Sequence, residues 1–85
     1  MDEWQRLKRE GAIKQALARQ QGEGLQLLDP RPLVRVRAVY GRAIAITSTH
    51  VLHEWVKAGQ YYVRWDERWQ VHPVSKDEWL GDGLE

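Results

Sequence analysis

Arg35, Arg37, Arg42 and Arg64, interleaved with Tyr62 and Trp69, are the side chains of this sequence best suited to chemistry, and that chemistry is polyanion binding. Guanidinium groups neutralise phosphates, and an exposed aromatic ring gives a base a surface to stack on. Gln70 and His72 fall close enough in sequence to join them. Such a face implies a nucleic-acid partner, weak sequence preference and an affinity that falls steeply with salt. The competing explanation is a solvated sheet face whose arginines pair with Glu54, Asp66 and Glu67. A pI near 8.1 is low for a dedicated nucleic-acid binder.

A second set of side chains lies near the start of the chain. Trp4, Leu7 and Leu17 form a loose apolar stripe on a segment of good helix formers. A helix with so loose a stripe has little stability alone and needs a surface to pack on. That surface is either the chain's own sheet or a partner, including a second copy of the chain.

Metal and catalytic chemistry find little here. His50 and His53 share a face on a helix, but a spacing of three puts them on opposite faces of a strand. Glu54 follows His53 directly, which is not the spacing of a zinc-hydrolase helix. Cysteine is absent, so thiolate catalysis, disulfides and cysteine-held metals are excluded together. Thr47, Ser48, Thr49 and His50 are neighbours, yet no glycine-rich elbow or acid partner positions a nucleophile. The expectation is a binding module without cofactor, not an enzyme.

The wider composition agrees with a single small domain of 85 residues, 42% hydrophobic and 29% charged. Absence of disulfides and of an apolar leader favours the cytoplasm, and no apolar run approaches the roughly 20 residues that span a bilayer. The net charge of +1 hides an asymmetry. Residues 1–65 carry eleven Lys/Arg against six Asp/Glu, whereas residues 66–85 carry two against six. A basic body with an acidic end meets a polyanion on one side only.

Four regions follow from these patterns. Residues 1–22 form an amphipathic helical segment, with the helix over 2–21, capped by Asp2 and stopped by Gly22 and Gly24. Residues 23–32 are a linker broken by Gly24, Pro30 and Pro32. Residues 33–81 hold the β domain, and 82–85 are an acidic tail. Within the β domain, Leu33–Tyr40 alternates, Gly41 marks a turn, and Arg42–Thr47 follows with Ile44 and Ile46 inward. Gln60–Trp65 puts Tyr61, Val63 and Trp65 on one side and Tyr62 and Arg64 on the other. Asp66–Arg68 reads as a turn, Trp69–Val74 as a short strand, and Ser75 with Glu78 as a capping box before Gly81. Trp55, Val63 and Trp65 are expected to fill the core, with Trp79 against its end. Thr49–Gly59 fits a strand that makes a hairpin with YYVRW, or a helix with Val51, Leu52, Trp55 and Val56 on one stripe.

With the strand reading, the rhythm VRVRAVYGRAIAI, VLHEW, YYVRW and VHPVSKDEWL resembles the Src-homology-3-like small barrel of KOW and Tudor modules. The resemblance covers residues 33–80 and implies a mainly β, α+β chain: an N-terminal helix on a five-stranded barrel. Barrels of this kind commonly present an outward face to nucleic acid. With the helix reading, the alternative is a ββαββ sheet with one packed helix.

Overall fold

The structure is a computed structural model and describes residues 3–84. The chain is an α+β domain: helix α1 (Glu3–Ala18) followed by six short strands in one antiparallel sheet. The strands are β1 (Gln26–Leu27), β2 (Leu33–Val36), β3 (Val39–Ile46), β4 (His50–Lys57), β5 (Gln60–Glu67) and β6 (His72–Pro73). β2 to β5 form a meander, β6 returns to pair with β2, and β1 pairs with β3. The order β5-β4-β3-β2-β6 leaves two ends, so the sheet is not closed into a barrel. Among the described residues no helix is long and apolar enough to cross a membrane.

Thr49–Gly59 is strand and turn, which removes the ββαββ alternative. Val51, Trp55 and Val56 favour extended backbone, and β4 pairs without interruption along β5 from His50↔Glu67 to Lys57↔Gln60. Residues directly opposite one another share a face. Leu52, Glu54 and Val56 therefore lie with Tyr61, Val63 and Trp65, and Val51, His53 and Trp55 lie with Tyr62, Arg64 and Asp66.

Helix α1 lies on the first of these faces. Ile13, Ala16 and Leu17 pack with Val63 and Trp65 against buried Ile44, Ala45 and Leu52. The indole Nε1 of Trp65 donates to the carbonyl of Ala16 at 2.8 Å, pinning the last turn of the helix. That carbonyl also accepts the Arg19 N–H at 3.1 Å, so the indole is a second donor to the C-terminal turn of the helix. The opposite face buries Val34, Ala43 and Val51, with Leu28, Ile46 and Val71 around them.

Several boundaries differ from those read in the sequence. The helix stops at Ala18 rather than 21, and the cap expected at Asp2 lies outside the described residues. The linker contains a strand, because Gln26 and Leu27 pair with Ile46 and Ala45. The β2–β3 turn falls at Arg37–Ala38, with Arg37 at φ 55°, and not at Gly41. Gly41 is buried inside β3 because a Cβ there would come within 1.9 Å of the Glu54 carbonyl oxygen. Glycine here serves strand-to-strand approach, not a turn.

A β-bulge between Ala43 and Ala45 sends Ile44 to the helix-covered face and Ile46 to the other, although their spacing suggests a shared face. The Leu28 N–H takes up the Ile44 carbonyl at 2.9 Å. Asp66 and Glu67 belong to β5, Arg68–Gln70 is a single 3-10 turn, and only His72–Pro73 of the expected last strand pairs. The capping box is present: the Ser75 N–H donates to Glu78 Oε1 at 3.0 Å, and the helical turn covers Lys76–Glu78.

Candidate binding surfaces

The register divides the arginine–aromatic set between two faces. Arg42 opposes Glu54 and Arg35 opposes Tyr40, which places both arginines on the helix-covered side of the sheet. Tyr62 and Arg64 oppose Trp55 and His53 on the other side. Arg37 stands in the β2–β3 turn, where its carbonyl accepts a 3.0 Å hydrogen bond from Arg35 Nη1. In an antiparallel meander that turn lies at the same end of the sheet as the Ala58–Gly59 turn. Trp69 sits on the 3-10 turn, 70% exposed, its Nε1 bonded to Glu67 Oε2 at 2.7 Å.

Along the β4–β5 hairpin three rings stack in a row. His53 and Trp55 are 5.0 Å apart with planes 20° off parallel, and Trp55 and Tyr62 are 5.2 Å apart at 15°. Trp55 is thus half-buried in a surface stack and not the core residue its composition suggested. The Arg64 guanidinium lies 5.1 Å from the Trp55 ring centre, and its Nε donates to Asp66 Oδ2 at 2.8 Å. Tyr62 closes the row at 41% exposure, which leaves ring surface open to solvent.

The inner end of the row is a buried polar contact. His53 is fully buried, with Nε2 2.6 Å from Asp66 Oδ2 and Nδ1 without a partner. Burial lowers the His53 pKa, more than its hydrogen bond to Asp66 raises it. Burial pushes the Asp66 carboxyl up, but hydrogen bonds from His53 and Arg64 outweigh it and hold the group below its usual value. Neutral His53 with its proton on Nε2 fits both facts, because Nδ1 is then a bare acceptor rather than a stranded donor.

On the helix-covered face the buried carboxylate of Glu54 gathers its own partners. Arg31 Nη1 donates to Oε2 at 2.9 Å, the Tyr61 hydroxyl to Oε1 at 2.7 Å, and Arg42 Nε lies 3.4 Å from Oε2. Burial, then the bond to Glu54 and its charge, raise the Tyr61 phenol well above its ordinary value. Arg42 is therefore committed to an internal ion pair. The Arg42–Glu54 and Arg64–Asp66 pairs match the alternative in which the arginines pair with sheet carboxylates. The part played by Arg31 and Tyr61 has no signal in their spacing beyond the placement of His53 and Glu54 side by side in the middle of an apolar strand.

The stripe on α1 also divides. Leu17 packs on the sheet, whereas Trp4 (68% exposed) and Leu7 stay in solvent. At 100° per residue they project from the side of the helix away from Ile13 and Ala16. Trp4 does not dock the helix on its own sheet, and Lys8 lies 5.8 Å from its ring centre.

The remaining chemistry is scattered. His50 and His53 fall on opposite faces of β4. The Thr49 hydroxyl meets His50 Nδ1 at 2.7 Å, while Asp66 serves His53, so among the described residues no hydroxyl, imidazole and carboxylate align. Thr47 Oγ1 is a turn brace: it donates to the Gln21 carbonyl at 2.6 Å and accepts from the His50 N–H at 3.0 Å. No protein family, curated protein or solved structure matches the chain.

Proposed function

We propose that this chain is a small non-enzymatic module that binds single-stranded nucleic acid along the β4–β5 hairpin. The observation that carries the reading is the His53–Trp55–Tyr62 row, open to solvent at Tyr62 and flanked by Arg64. A base stacks on Tyr62, and a buried row behind that ring holds it in place before the ligand arrives. Asp66 occupies the Nε–H of Arg64, and a guanidinium keeps further N–H donors for a phosphate. Arg35 and Arg37 add positive charge at the hairpin end of the sheet, and Trp69 offers a second ring beyond the other end of β5. Arg42 is engaged with Glu54 and contributes field rather than contact. With no groove-reading helix in the footprint, sequence preference is weak.

The small-barrel reading belongs with this proposal. Its support is the meander β2–β5, the 3-10 turn after β5, and a last short strand that returns to β2. A cytoplasmic protein with no cofactor is the corresponding setting.

The test is Tyr62→Ala. Loss of one base stack weakens binding by about 1–3 kcal/mol, roughly 5- to 150-fold, with folding retained because Tyr62 is exposed. Unchanged affinity for a labelled oligonucleotide in that variant contradicts the reading.

A second reading has its own observation: Trp4 and Leu7 are exposed together on the free side of α1. Exposed tryptophans are favoured anchors of protein interfaces. In this reading α1 docks a protein partner or a second copy, and the double variant Trp4→Ala, Leu7→Ala loses that association while keeping its fold.

A further inference from the structure

The segment Trp79–Leu84 is bound to the rest of the chain like a docked peptide. Trp79 packs edge-on against Tyr40 at 5.8 Å, and a bond within the segment, from its Nε1 to the Gly81 carbonyl at 2.8 Å, sets the segment's bend. A Cβ at Gly81 would stand 2.7 Å from the Tyr40 Cβ, so only glycine passes there. Asp82 Oδ2 accepts the Ala58 N–H of the β4–β5 turn at 3.1 Å. Leu84 is buried to 7% exposure, and its carbonyl accepts from Arg9 Nη1 on α1. Between these anchors Leu80 is 80% exposed. Trp79 and Leu84 are covered at the two ends, the Asp82 side chain is tied to the turn, and Leu80 and Gly83 face water.

An open cavity adjoins the segment at Arg9. It holds about 610 Å³ between α1 and the hairpin, lined by Lys8, Arg9, Val56, Gly59, Gln60 and Tyr61. Arg9 also lies 4.8 Å over the Tyr61 ring, which fixes the guanidinium that donates to the carbonyl. Arg9 thus meets both the hairpin and the segment that carries Asp82.

We propose that this groove between α1 and the β4–β5 hairpin is a peptide-docking site for an extended acidic segment of a partner protein, carrying an aspartate two residues before a leucine. The chain's own Trp79–Leu84 is its resident occupant and shields it until such a segment competes. The partner's aspartate takes the Ala58 N–H, its leucine the Leu84 seat, and its main chain the Arg9 donor. This site lies on the helix-covered side of the sheet and stands or falls independently of nucleic-acid binding at Tyr62.

The probe is a fluorescein-labelled peptide amide of sequence WLGDGL, read by anisotropy against the full-length chain. In the double variant Asp82→Ala, Leu84→Asp the resident segment is weakened and the groove is untouched. That variant binds the peptide at least tenfold tighter than the unsubstituted chain. Adding Arg9→Ala removes the gain, and a peptide with its aspartate and last leucine exchanged does not bind. A double variant that is folded by circular dichroism but ignores the peptide, or takes the exchanged peptide equally well, overturns the proposal. If the double variant does not fold, the unsubstituted chain decides. A tethered segment competes at an effective concentration on the order of millimolar, so several millimolar peptide shifts the Ala58 amide resonance. An unmoved Ala58 resonance then overturns the proposal.

Discussion

His53 Nε2 and Asp66 Oδ2 meet at 2.6 Å on the face opposite the helix, in a hydrogen bond that joins β4 to β5 and underlies the Trp55–Tyr62 stack. Its two members are shifted in the sense that makes the fold acid-sensitive. Burial, the largest influence, keeps the folded His53 pKa below its usual 6.5, so the unfolded chain takes up a proton that the folded chain refuses. Stability is then full above about 6.5 and falls as the pH drops toward the lower folded value. Asp66, also lowered, adds a loss of the same sign below its ordinary 3.8. Urea unfolding at a series of pH values is expected to show a decline setting in below about 6.5, and His53→Gln removes the slope that begins there.

Glu54 carries a different expectation. Its carboxylate is buried, but Arg31 and Arg42 are each more than a third exposed, so their charges remain partly hydrated when it is removed. Glu54→Ala therefore destabilises by about 2–4 kcal/mol, near the lower end of the range for breaking a buried pair. Thermal unfolding reads this as a drop of roughly 10–25 °C for a domain of this size. Glu54→Gln keeps an acceptor for the Tyr61 hydroxyl and loses less.

Gly41→Ala tests the close approach of β3 and β4. The added methyl meets the Glu54 carbonyl oxygen, which is backbone and cannot swing aside. A destabilisation on the order of 3 kcal/mol or more is expected from such overpacking, measured as a lower urea midpoint. A midpoint equal to that of the unsubstituted chain would show that the two strands separate at little cost.

Trp65→Phe removes one hydrogen bond, from the indole to the Ala16 carbonyl, and leaves most of the ring's packing. The loss is about 1 kcal/mol in overall stability. Helix α1 has no fully buried residue, so its amides are expected to gain more in hydrogen-exchange rate than those of β3 and β4.

What could be read from the residues alone was local. The alternation of Tyr61, Val63 and Trp65 against Tyr62 and Arg64 is a property of one strand, and it holds. The capping box at Ser75 and Glu78 is four residues of contiguous chain, and it forms. Whether Arg42 shares a face with Arg64 is not local. It depends on the pairing of β3 with β4 and β4 with β5, and that pairing sets Arg42 opposite Glu54 and Arg64 opposite His53. The bulge at Ile44 adds one residue to β3, so the period-two pattern changes face midway, where no turn residue marks it. Gly41 misled for a related reason. Glycine signals a turn by default, and the Glu54 carbonyl that needs the missing Cβ comes thirteen residues later.

The central claim is that the Tyr62–Arg64 end of the stacked row binds single-stranded nucleic acid. The most direct measurement is anisotropy of a short fluorescent single-stranded oligonucleotide titrated with the full chain at about 50 and about 200 mM salt. With three phosphates neutralised, micromolar binding at the lower salt should weaken by roughly 20-fold at the higher. No binding at the lower salt, or binding indifferent to salt, contradicts it.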